Sequence, residues 1–89
     1  MINTENQIFK SIEEMIKTAT ELLYNNGEVA AAAGLAVIIK RVATRHEIDI
    51  IKYSEFYGLL EDLFDEYELG SVAEEDRAMF AELGNACLG

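Results

Sequence analysis

Five carboxylates, Glu61, Asp62, Asp65, Glu66 and Glu68, crowd into eight consecutive residues of this 89-residue chain. Carboxylates so spaced can hold a divalent cation, work as acid and base on a phosphate ester, or present a negative field to a cationic partner. Glu61/Asp65 and Asp62/Glu66 stand four residues apart, so on a helix each is a like-charge neighbour pair. Such a pair destabilises a helix by roughly 0.2–0.5 kcal/mol. No Lys or Arg lies among them to compensate. Residues 61–89 as a whole carry nine acids against a single base, Arg77, whereas residues 1–60 carry eight acids and six bases. The net charge of −10 is therefore mostly one local field. It attracts basic partners and repels nucleic acid.

The other chemically suggestive residues lack the company their chemistry needs. A hard divalent cation wants about six oxygens in a shielded cage, which a row along one helix does not supply, and no dedicated metal site is expected. Glu55 sits where the last ligand of a calcium-binding EF-hand loop would fall. Counting back, Thr44, His46 and Ile48 occupy the positions for oxygen ligands and Asp49 the glycine position, so the motif fails. His46 is the single imidazole; beside Arg45 at the expected end of a helix, it suits that terminus as a cation. Cys87 is the single cysteine. It cannot staple the chain, and it reads as packing at the edge of the core. No catalytic residue, metal ligand or cofactor is expected.

Lys40, Arg41, Arg45 and Lys52 make a basic region diluted by Glu47 and Asp49. It is too small a footprint for nucleic-acid binding and suits pairing with the acidic residues instead. Asp76 falls inside the apolar arc of its helix, a position tolerated in an open first turn.

The elements that position these residues can be read from periodicity. Thr4-x-x-Gln7 fits a capping box. Ile8, Ile12, Met15, Ile16, Ala19, Leu22 and Leu23 then share one helical face, until Asn25-Asn26-Gly27 ends the run. A second helix is predicted from about Glu28 to about His46. Its eleven-residue stretch from Val29 to Ile39 is uncharged and apolar all round, which implies burial between neighbours. A membrane span needs roughly 20 such residues, so no membrane association is expected. Ala30, Ala33, Gly34 and Val37 leave room for another helix to approach closely, either from the same chain or across a homodimer. Residues 46–53 read as a linker tucked against the core.

The third helix, starting near Tyr53 or Ser54, places Tyr53, Phe56, Tyr57, Leu60, Leu63, Phe64 and Tyr67 on one arc and the acids on the other. Gly70 ends it, and Ser71-x-x-Glu74 is a second capping box. The fourth helix turns Val72, Met79, Phe80, Leu83 and Cys87 inward. The six glycines are expected mostly at helix ends. The fold class that follows is all-α: one domain over residues 1–89, a small up-and-down bundle of four helices.

An α-helical bundle carrying Asp62-x-x-Asp65 resembles in architecture the all-α nucleotide pyrophosphohydrolases of the MazG type. That family pairs a Glu-x-x-Glu with a later Glu-x-x-Asp. Here the first helix offers only Glu13, Glu14 and Glu21, no two of them three apart, so the activity does not carry over. Small size and acidity resemble, in class, the helical immunity proteins that neutralise nuclease toxins and the small inhibitors of bacteriophages.

The function expected from these features is non-enzymatic. The acidic face, Glu61, Asp62, Asp65, Glu66 and Glu68 with Tyr57 and Tyr24 as anchors, would dock on a basic, nucleic-acid-handling protein partner. Two alternatives stand beside it. One is self-association through the alanine-rich helix; the other is a Mg²⁺-dependent phosphate-ester hydrolase assembled across a dimer. The start, Met1-Ile-Asn-Thr-Glu5, lacks a basic region followed by an apolar one, and with the lone cysteine this makes the cytoplasm of a bacterium or of a virus-infected cell the expected location.

Overall fold

The computed structural model describes the backbone of residues 4–88 and the side chains of residues 7–87. Within these the protein is all-α, with helices α1 (Thr4–Tyr24), α2 (Val29–Arg45), α3 (Ser54–Glu68) and α4 (Arg77–Leu88). Two short 3-10 turns, Ile50–Lys52 and Glu74–Asp76, lead into α3 and α4. The Thr4 cap lies outside the described side chains.

The two amphipathic helices pack as their periodicity requires. Helix α1 buries Ile12, Ile16, Ala19 and Leu23, and α3 buries Phe56, Leu59, Leu60 and Leu63. Four residues join α1 to α2. Gly27 takes φ 67° there, and the Glu28 amide donates to the Leu22 carbonyl at 2.9 Å, closing a helical hairpin. Helix α3 runs alongside α1 in the same direction: Phe9 meets Tyr53 edge-on near the start of both helices, with ring centroids 5.4 Å apart. Helix α4 in turn runs alongside α2, because Gly34 faces Met79 and Arg41 pairs with Glu82. The four helices thus alternate in direction, as an up-and-down bundle should.

Helix α2 is the centre of this arrangement, flanked by α1, α3 and α4. That explains most of its apolar sequence, although Ala31 and Ile38 stay exposed. Ala32, Ala33, Ala36, Val37, Ile39 and Ala43 are buried within a single copy of the chain. This corrects the self-association site: Ala33 and Val37 are already covered by the protomer's own helices. A Cβ on Gly34 would stand 3.0 Å from the Met79 sulfur. Small residues here serve helix packing inside one protomer, and only Ala30 of the four retains partial exposure without such a neighbour.

Helix ends account for two further differences from expectation. Helices α2 and α3 both finish in a Schellman arrangement. In α3 the Gly70 amide donates to the Tyr67 carbonyl and the Ser71 amide to that of Glu66, each at 3.1 Å. Gly70 supplies the left-handed residue at φ 77°. Ser71 is therefore part of the stop of α3, and its expected capping box does not form. Ala73 stands at the N-cap position instead, with no side-chain cap. In α2 the same geometry uses Glu47 at φ 58°, with Ile48 donating to Ala43 at 2.8 Å. The linker after it is tucked against the core, with Ile50 fully buried at the head of the first 3-10 turn. Glycines also depart from the expected pattern. Gly27 and Gly70 mark helix ends, but Gly34, Gly58 and Gly84 lie inside helices.

Candidate functional site

Helix α3 holds the acidic residues on the side opposite its buried arc, and the structure divides them into two groups. Glu61 and Glu68 point outward with Tyr57, which is 51% exposed, and form a ridge along α3. Asp62 and Glu66, one residue further round, are partly buried on the side nearer α1. Asp65 lies between the groups and is exposed. Tyr24, the last residue of α1 and 59% exposed, shares a groove of about 470 Å³ with Asp62, Asp65 and Glu66. Tyr24 and three of the five acids thus come together, whereas Tyr57 stands apart with the other two.

The field of these carboxylates is not neutralised inside the protein. Two ion pairs form among the described residues: Arg41 of α2 with Glu82 of α4, and Lys52 with Asp49 at 3.6 Å. Two of the four basic residues are thus paired, Arg41 with α4 and Lys52 within its own loop, and none pairs with α3 within the chain among the described residues. Arg77, the lone base of the C-terminal third, lies over the Tyr67 ring at 5.2 Å and donates to its hydroxyl at 3.4 Å. That ring also stacks on Phe80, with centroids 5.3 Å apart. Arg77 therefore clamps the end of α3 to α4. No side-chain nitrogen comes within ion-pair distance of an α3 carboxylate among the described residues.

Two residues that sequence reasoning passed over border this surface. Leu69, after the end of α3, is 77% exposed and lines the Tyr24 groove. Gly58 opens onto a second groove, of about 620 Å³, between α1 and α3. A glycine in a helix interior is a legible signal, since it disfavours the helix it occupies. Tyr24 and Asp62 line both grooves, which therefore adjoin.

The remaining reactive side chains are not assembled. His46 is exposed at the end of α2. Burial pushes the Cys87 thiol up from its usual range, with nearby Lys40 acting in the opposite direction, so the thiolate is disfavoured. Tyr53 is likewise raised, first by desolvation and then by the charges of Glu13 and Glu55. Asp76 is partly exposed in the second 3-10 turn. Among the described residues no three acids, histidines or cysteines converge as metal ligands, and no helix is long and apolar enough to cross a membrane.

The chain matches no family model, no curated protein and no solved structure.

Proposed function

We propose that this is a non-enzymatic binding protein that inhibits or regulates a basic, nucleic-acid-handling protein by presenting the acidic side of α3 to it. The observation that carries this reading is the uncompensated charge. Five carboxylates lie together without an ion-pair partner among the described residues, while the bases nearest in sequence on either side are engaged elsewhere, Lys52 with Asp49 and Arg77 with an aromatic ring. A fold that only needed solubility would intersperse both signs. Charges of one sign steer and align a partner, and affinity requires apolar or aromatic anchors beside them. Tyr24, Tyr57 and Leu69 are such anchors, each more than half exposed next to the acids.

Affinity capture from host lysate tests the proposal, with wild type compared against a variant carrying Glu61→Gln, Asp62→Asn, Asp65→Asn and Glu66→Gln. The expected result is a stoichiometric basic protein recovered by the wild type and lost with the variant. Equal recovery of the same partners by both forms would contradict it.

Self-association remains a second reading on one observation: Ile38 on α2 is 50% exposed beside the partly exposed or exposed Ala30 and Ala31. Any subunit contact through α2 would run along that strip, away from the buried Ala33 and Val37.

A further inference from the structure

We infer that the groove between α1 and α3 receives a basic amphipathic helix of the partner. This rests on the acidic-docking proposal and moves the main contact from the outer ridge of α3 to its α1 side. Shape, charge and one glycine carry the inference.

The groove lies between two helices running in the same direction, and carbon makes up most of its lining, from aliphatic stems, the Thr20 methyl and the Tyr24 ring. Ile16 and Leu59 close its floor and are themselves buried, so the groove is a shallow open channel on a solid base. Ser54 to Asp62 covers a little over two turns of α3, at about 3.6 residues per turn. No strand exists among the described residues, so a peptide cannot be added to a sheet edge. A helix laid into a groove between helices is the recognition mode that this shape suits.

Charge specifies the occupant. Glu13, Glu14 and Glu21 on one rim and Glu55 and Asp62 on the other outnumber Lys10 and Lys17. A segment with basic flanks and a small-residue apolar edge fits this distribution; an acidic one is repelled.

Gly58 supplies the third observation. A Cβ built there meets nothing within 4 Å, so no intramolecular contact requires glycine at this position of α3. Gly84 is open as well, and each of the two stands four residues from an end of its helix, so open space alone does not single out Gly58; its place in the lining of the groove does. Glycine in a helix interior allows another backbone to approach closely. Gly58 faces the groove, and the incoming helix would come nearest there, with Tyr24 as the anchor at the far end.

An NMR titration of the full chain tests this, using a synthetic amphipathic helix of alanine, leucine and lysine, with a glutamate-for-lysine counterpart as control. Expected shifts fall on residues 10–24 of α1 and 54–62 of α3, for the basic peptide alone. Gly58→Leu should weaken binding about ten-fold or more, as filling a close contact does at an interface centre. Gly58→Ala should raise the melting temperature yet weaken binding, and it decides the matter if the leucine variant does not fold. Glu61→Gln with Glu68→Gln, on the outer ridge, should change affinity much less.

Three outcomes overturn the inference. If the glycine variants bind normally and the ridge variant does not, the groove is wrong and docking through the acidic ridge stands. If no variant alters binding, or no peptide binds, the groove inference falls, and the lysate capture decides the docking proposal separately. If the chain alone sediments as a dimer through this groove, the occupant is a second copy and the foreign helix is excluded.

Discussion

Two glycines inside helices, Gly34 of α2 and Gly58 of α3, differ in what surrounds them, and on the proposed function that difference separates packing from binding. Gly34 has an internal reason: the Met79 sulfur lies 3.0 Å from where its Cβ would be, so α4 rests on α2 at that point. Gly58 has none, since the same construction meets open space. Beside Gly34, Ala33 and Val37 are covered by the chain's own helices. Around Gly58 carboxylates lie without ion-pair partners among the described residues, beside an open groove. A poor helix former that packing explains is a matter of folding. One that packing leaves unexplained, next to uncompensated charge, points outward to binding.

The contrast is easiest to break at its strongest point. Gly34→Leu should destabilise the protein by about 1–3 kcal/mol through overpacking, measured by chemical denaturation. Met79→Ala in the same chain should restore part of that loss, because the two positions share one contact. Gly58→Leu should show no comparable cost, and an equal one would mean that α3 packs more tightly there than the open space indicates.

Smaller effects sharpen it. Gly58→Ala should gain roughly 1 kcal/mol, the propensity difference between the two residues in a helix interior. Glu47→Gly should gain a similar amount, about 1–2 kcal/mol, by relieving a side chain held in the left-handed region. Glu47 does not line the groove, so peptide affinity should be unchanged. Smallest of all, Glu82→Gln should cost less than about 1 kcal/mol, because the Arg41–Glu82 pair is largely exposed to solvent. A larger loss would make the basic end of α2 a structural centre in its own right.

Much of the architecture was legible from residue spacing. The arcs of α1 and α3 are long and amphipathic, and periodicity alone identifies their buried sides, apart from Leu59 at the edge nearest α1 and the half-exposed Tyr57. The all-apolar middle of α2 implied burial between neighbours, which holds for Ala32, Ala33, Ala36, Val37 and Ile39 but not for the exposed strip of Ala31 and Ile38. It could not reveal whose helices those were, because an alanine and glycine surface accepts a helix of the same chain and one of another copy equally well. Ser71-x-x-Glu74 misled because one serine satisfied two signatures, and its amide was already engaged in ending α3. The isoleucines of residues 48–51 favour extended backbone in isolation, yet burying Ile50 in a single 3-10 turn outweighs that preference. Of the acidic side, the charges were plain in the sequence. Their division between ridge and groove was not, since it depends on where α1 lies. Gly58 was visible throughout, but only the empty space beside it gives it meaning.

The most direct test of the central claim, that the α3 carboxylates do nothing for the fold and are held for a partner, is a comparison of denaturation curves. Wild type and the variant neutralised at Glu61, Asp62, Asp65 and Glu66 would be unfolded at low and at high salt. Repulsion between exposed charges is screened over about 10 Å at 0.1 M salt and about 3 Å at 1 M. The account predicts that the variant is the more stable at low salt and that the gap closes as salt rises. A variant less stable than wild type at both salt concentrations would show that these acids hold the bundle together, and would contradict the account.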